Sequence, residues 1–352
     1  QNLPIPHMTE VTCFLGRRYE IIGDGYVSNI YEVGNKKVYP LMFEVNYGQM
    51  QSLNSYLYDN GEQLILIDAC INMPECNEFF DRQLKEYGLS VEQIDLILLT
   101  HHHGDHIGQV NRLLQVKNIP IYAHHASIER LTLEESYLEK RKTFFYKMYN
   151  DYGCLDLGKK QLERLKNSAQ NNKEIKISAP IHPLYDGDEI AGLKVIEVPG
   201  HSPDSIIFYD AETKWQFAGD LVLNPGSTNA LIDFDEHLEL LPTVAQYEQS
   251  LKICREIDTS IIFPGHQPPF DSHEHVINKK LQRIQQKSER VVEIVKKGNH
   301  LTKDIAYQMY REKLEKSFGL VMSEVIGYLE YCVSNDKLTK TKQNDEWYFD
   351  VI

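Results

Sequence analysis

The 352-residue chain carries 37 Lys and Arg against 51 Asp and Glu, a formal charge of −14, with 42% hydrophobic and 25% charged residues. This balance excludes a disordered or fibrous chain, and at this length one large domain with a smaller appendage is expected. The acidity repels polyanions at long range, so a small-molecule substrate is expected ahead of nucleic acid.

The first twenty residues lack the basic start, apolar run and small-residue cleavage site of an export signal, and no later run is long enough to span a bilayer. A cytoplasmic location without membrane association is the expectation. The six cysteines, Cys13, Cys70, Cys76, Cys154, Cys254 and Cys332, include no CxxC pair and read as reduced thiols.

Along the chain, Tyr56 to Ile67 reads as two β-rich runs joined at Asp59-Asn60-Gly61, a hairpin closed by Asp68. A helix follows over Asn77 to Tyr87, and the apolar run Ile94 to Leu99 predicts a buried strand that delivers the chain into His101. A helix over Ile107 to Val116 and strands over Ile119 to Ala123, Leu193 to Val198, Ser205 to Tyr209 and Trp215 to Ala218 continue an interleaved α/β pattern. Residues 126–172 interrupt it as a charged, aromatic-rich helical insertion containing Phe144, Phe145, Tyr146, Tyr149 and Tyr152, which either pack that insertion or wall a substrate site.

After Phe270 the pattern turns to helix: Val276 to Lys297, Thr302 to Tyr310 with Thr as a cap, and Val321 to Val333. A ribbon of Leu338 to Lys342 and Glu346 to Val351 around Gln343-Asn344-Asp345 completes a winged-helix-like unit over 271–352. That unit holds 14 Lys and Arg against 13 Asp and Glu, leaving 23 against 38 in residues 1–270. With neutral charge and no evident basic stripe, it is assigned to homodimerisation or to shaping the pocket mouth ahead of nucleic-acid binding.

The chemistry concentrates at four places of one grammar. His101-His102-His103-Gly104-Asp105-His106 follows the buried strand, and EVPGHS at His201, FAGDL at Asp220 and FPGHQ at His266 each set a ligand-type residue at a Gly-flanked strand end. Imidazole and carboxylate without cysteine suit two divalent ions, Zn2+ first, with Mn or Fe tolerated, sharing a carboxylate and leaving an open position. His102 is expected to point away, and His124 and His125, after a separate strand, to play a structural part.

The HHHGDH segment matches the HxHxDH signature of the metallo-β-lactamase superfamily, which the first 270 residues resemble through His201, Asp220 and His266 as well. The resemblance implies an αββα sandwich of two mixed sheets flanked by helices, with the site at one edge. It implies that His101, His103 and His201 hold one metal, Asp105, His106 and His266 the second, that Asp220 bridges them, and that Asp68 supports a ligand histidine. A metal-bridging hydroxide would be the nucleophile, with Asp105 orienting it and Asp68 accepting a ligand ring N–H. Departures from the family pattern are Cys70 and Asp204, where Gly is common.

The implied activity is hydrolysis of a small ester, thioester or lactone, similar to the glyoxalase II and lactonase branches. Leu223 stands where homoserine-lactone enzymes resemble having a tyrosine. The alternatives are a metal-dependent phosphodiesterase or ribonuclease, and a non-enzymatic metal sensor with a nucleic-acid-binding tail.

Overall fold

Leu64-Ile65-Leu66-Ile67 is apolar at every position, and a strand so written must be covered on both faces. In the computed structural model, which describes residues 10–12, 18–21, 30–47 and 50–352, Leu64 and Leu66 point into one core while Ile65 and Ile67 point into another. The strand Ile94–Leu99 pairs parallel with it and repeats the division, Ile97 and Leu99 against Leu96 and Leu98. Cys13 and most of the first twenty residues lie outside the described residues; the other five cysteines are free thiols.

Among the described residues nine strands form the first sheet and five the second, from Glu189–Ile190 through Leu193–Glu197, Ile206–Asp210, Trp215–Gly219 and Ile261–Pro264. Between them Tyr56, Tyr58, Leu96 and Leu98 meet Phe208, Trp215, Phe217 and Phe263. The outer face of the first sheet is covered by the helices Pro74–Glu86 and Val110–Val116 through Phe79, Phe80, Leu84, Val110 and Leu113. Helices Thr243–Glu256, His273–Lys296 and Phe318–Ser334 cover the outer face of the second. The architecture is the αββα sandwich of mixed sheets.

Strand direction explains where the site falls. Leu193–Glu197 runs antiparallel to Ile206–Asp210, which runs antiparallel to Trp215–Gly219, and the latter is parallel to Ile261–Pro264 with Gly219 opposite Pro264. The chain therefore leaves three of these strands at one edge, just before His201, Asp220 and His266. The Ile206 amide donates to the Thr100 carbonyl at 2.9 Å, and the Asn54 amide to that of Gly265 at 2.9 Å, which stitches the edge of the first sheet to that of the second.

Several elements differ from the sequence reading. The helix expected over 107–116 is broken into Gly104–Ile107 and Val110–Val116. Gly108 passes so close to the Asn72 backbone that a Cβ there would stand 2.3 Å from its nitrogen. Strand Ile181–Leu184, with Pro183 inside it, and helix Thr243–Glu256 were not anticipated. Thr302 is the first helical residue; Leu301 occupies the cap position and makes no side-chain capping bond. The ribbon strands run Leu338–Gln343 and Glu346–Val351, joined by Asn344 and Asp345 at φ of 50° and 65°.

The segment 271–352 also contains a short fourth helix, Lys313–Lys316. Its buried Ile277, Ile284, Met322, Ile326 and Leu329 join one continuous core with Val244, Leu251 and Ile262 of the second-sheet layer and with Phe144 and Tyr149 of the insertion. A basic row absent from the sequence reading does exist: His275, Lys279, Arg283 and Lys287 recur every four residues along the helix His273–Lys296. Near-neutral net charge concealed it, because the compensating acids lie elsewhere in the segment. Among the described residues no helix is long and apolar enough to cross a membrane.

Candidate metal centre

Seven side chains from four strand ends meet in one buried pocket. Ligand-type atoms of His101, His103 and His201 lie within 4.8 Å of one another, as do those of Asp105, His106 and His266, and of His101, His106 and Asp220. All seven are at most 6% exposed. His101 Nε2 and His201 Nε2 each stand 3.0 Å from His103 Nδ1.

Hydrogen bonds at the far side of each ring fix which nitrogen faces inward. The Asn229 carbonyl can only accept, so His201 Nδ1 donates to it at 2.8 Å and Nε2 is the nitrogen turned inward. His266 is held in the same way by the Ser52 carbonyl at 2.9 Å, and His106 by Asp68 Oδ2 at 2.8 Å. The Thr100 amide and hydroxyl both donate to Asp68, so the hydroxyl oxygen can only accept from His101 Nδ1, 3.1 Å away. His101 Nε2 is therefore the inward nitrogen as well.

The inward nitrogens crowd one shared space. Two of them converge on His103 Nδ1, which can donate at most one hydrogen. His106 Nε2 and His266 Nε2 both face Asp220 Oδ1 at 3.3 Å, and all three atoms are buried without a hydrogen-bond partner. Burial opposes charge on His106, yet Asp220 and Asp68 pull its pKa well above the ordinary histidine value. Asp220 is held well below the carboxylate range against its own burial, because His266 and His106 face it. The pocket thus draws positive charge, and its donor set of imidazoles and carboxylates fits divalent cations. Asp220 Oδ2 lies 3.3 Å from His201 Nε2 while Oδ1 faces His106 and His266, so one carboxylate addresses both trios.

Two glycines make the approach possible. A Cβ on Gly265 would stand 2.5 Å from His106 Cε1 and 2.6 Å from Asp220 Oδ1; one on Gly219, at φ 48°, would stand 2.6 Å from Thr100 Oγ1. Asp68 itself adopts φ 57°, a costly left-handed conformation held by the bonds just described.

The residues around the seven divide more finely than the sequence suggested. His102 belongs to none of the ligand groups: its amide and Nδ1 bond Asp204 at 2.9 and 2.8 Å, and Ser127 Oγ donates to the same carboxylate at 2.6 Å. Asp204 is fully buried, which alone would raise its pKa, but His102 and Arg130 hold it well below the usual range. Its part was invisible in sequence, where it reads only as a replacement of glycine. His124 donates from Nε2 to Glu197 at 2.8 Å and accepts the Ala126 amide at Nδ1, and with His125 and Glu197 forms a group apart from the seven.

A cavity of about 150 Å³ opens above His103 and His201. Phe145 and Tyr149 line it together with Tyr137, Leu157 and Phe318. The other aromatics of the insertion do not: Phe144 packs on Phe234 with centroids 5.0 Å apart, Tyr152 donates to Glu330 at 2.6 Å, and Tyr146 is 57% exposed.

The profile of the metallo-beta-lactamase superfamily matches residues 51–266. The chain is 26% identical over 294 residues to a probable metallo-hydrolase, YqjP, of Bacillus subtilis, covering 82% of this chain and 90% of that one. It is 24% identical over 268 residues to a beta-lactamase-like protein 2 homolog of Caenorhabditis elegans, covering 75% and 72%. A metallo-beta-lactamase family protein of Thermus thermophilus shares the fold at a TM-score of 0.72 and 18% identity, over 90% of this chain and 98% of that one. The chain belongs to the metallo-beta-lactamase superfamily and is a hydrolase of that family.

Proposed function

We propose that the chain is a dinuclear metal-dependent hydrolase of small esters, thioesters or lactones with an apolar or aromatic organic part. The observation that carries this reading is the convergence of seven buried imidazole and carboxylate groups, with His106 Nε2, His266 Nε2 and Asp220 Oδ1 left without hydrogen-bond partners, beneath an aromatic-walled cavity. In this reading His101, His103 and His201 would hold one ion, Asp105, His106 and His266 the other, with Asp220 available to both and Zn2+ ahead of Mn and Fe. Divalent ions bound there would supply a water of lowered pKa and a Lewis acid for the scissile oxygen. The protein's own residues do the positioning: Asp68 fixes the ring of His106, Asn229 and Ser52 those of His201 and His266, and Asp105 is suited to orient the attacking water.

The cavity wall selects the acyl part. Tyr137, Phe145, Tyr149 and Phe318 offer flat apolar surface, while Lys316 and Phe318 bring the C-terminal segment to the mouth. That placement favours pocket shaping over dimerisation as the role of residues 271–352. Arg141, Lys160, Arg164 and Lys316 also line the cavity and supply the one observation favouring a second reading, a phosphodiesterase or ribonuclease.

Zinc-loaded protein assayed on p-nitrophenyl acetate, an aryl thioester and bis-p-nitrophenyl phosphate separates the two. Acyl turnover lost on chelation is expected, with about two ions per chain by elemental analysis. Phosphodiester turnover without acyl turnover reverses the ranking.

A further inference from the structure

Lys280 lies on the inner side of the helix His273–Lys296 and is only 9% exposed. Its ammonium has three donors, and the structure gives it one acceptor, the Gly226 carbonyl at 2.9 Å. Among the described residues no carboxylate lies within ion-pair distance of it. Other shielded cations are answered: Arg130 by Asp233 at 2.9 Å, Lys36 by Asp210 at 2.9 Å, Lys340 by Glu330 at 2.8 Å, and Lys287 by Glu324. In a chain with 51 acidic residues, a buried ammonium without a counter-charge is conspicuous, since burial of an unpaired charge is costly.

The space beside Lys280 is a cavity of about 400 Å³ between that helix and the loop 223–228, and among the described residues no Asp or Glu lines it. Four more basic side chains face it, His275, Lys279, Arg283 and the Glu324-paired Lys287, as do the hydroxyl-bearing Ser227 and Ser272. Leu223, Val276, Ile284 and Tyr328 supply an apolar wall. Burial, then the nearby Arg283, lowers the Lys280 pKa to about 8.

We propose that this cavity binds the phosphate dianion of a small organic phosphomonoester, with Lys280 and Arg283 as its principal donors. The guanidinium fork of Arg283 matches two phosphate oxygens, and the ammonium of Lys280 supplies a point charge shielded from water. A carboxylate would leave most of these cations unanswered, whereas a dianion with several acceptor oxygens meets them together. The apolar wall and the surplus volume accommodate the organic bearer. The site is distinct from the cavity over His103 and His201, since the two share no lining residue.

Titration with inorganic phosphate and with adenosine monophosphate, read by NMR of 13C-labelled lysine side chains, tests this. The Lys280 resonance is identified by its absence in Lys280→Gln. Expected is a shift of that resonance, with its pKa rising on phosphate addition, in both metal-loaded and chelator-treated protein. Arg283→Gln should weaken binding by about tenfold or more without changing thermal melting or hydrolysis. Tighter binding of the nucleotide than of the inorganic ion supports the organic bearer; equal binding overturns that part. An unmoved Lys280 resonance, or movement that vanishes on chelation, overturns the site and leaves Lys280 as an anchor for the loop.

Discussion

At residue scale the centre depends on atoms that are absent as much as on those present. Gly265 is required because His106 and Asp220 occupy the space a side chain would take. Gly265→Ala is therefore expected to lose most bound metal by elemental analysis while the far-ultraviolet circular dichroism stays close to that of the parent. Full metal content in that variant would show that the loop yields. Asp204 acts one step further out: it accepts the His102 amide and ring and the Ser127 hydroxyl. Removing it leaves three buried donors without an acceptor and loosens the His101–His106 loop. Asp204→Ala should lower metal affinity or turnover by about 10–100-fold, with Asp204→Asn intermediate; competition against a chelator measures it.

At the scale of elements, the hairpin of the first sheet is tied to the second by Asp210, which receives Lys36 Nζ and the Tyr58 hydroxyl at 2.9 and 2.7 Å. Burial would raise this carboxyl, but the bonds from Tyr58 and Lys36 lower it below the usual aspartate value. A carboxyl depressed in the folded state stabilises above its unfolded pKa, and that contribution fades as pH falls through the folded value. The difference in melting temperature between the parent and Asp210→Asn should thus be largest at neutral pH and shrink in acid. A constant difference would place the effect elsewhere.

Much at this scale was legible in the sequence. The run Ile94–Leu99 declared its burial by composition, and the strand-end placement of His201, Asp220 and His266 announced a shared edge. The strand Ile181–Leu184 was hidden by Pro183 within four residues. The break at Gly108 was hidden because only the tertiary approach of the Asn72 backbone imposes it. The carbonyls of Asn229 and Ser52 that set two histidine rings carry no side-chain signature at all, so no residue pattern could have indicated them.

For the molecule as a whole, the C-terminal helices are part of the core that backs the second sheet. Deleting residues 271–352 uncovers Val244, Leu251 and Ile262, which now pack in one cluster with Ile277, Ile284 and Ile326. Such a truncation is expected to bind a hydrophobic dye and lose near-ultraviolet circular dichroism; a monomeric, metal-loaded, active fragment would contradict this.

The two sheets contribute unequally to the pocket: one supplies His101, His103, Asp105 and His106, the other His201, Asp220 and His266. Neither half alone assembles either complete trio together with Asp220. Under the proposed function, ion binding would require the halves of the sandwich to be docked in register, and the bound ions would act as a clasp across the seam. Fastening and activity would then arrive together, once both layers are in place.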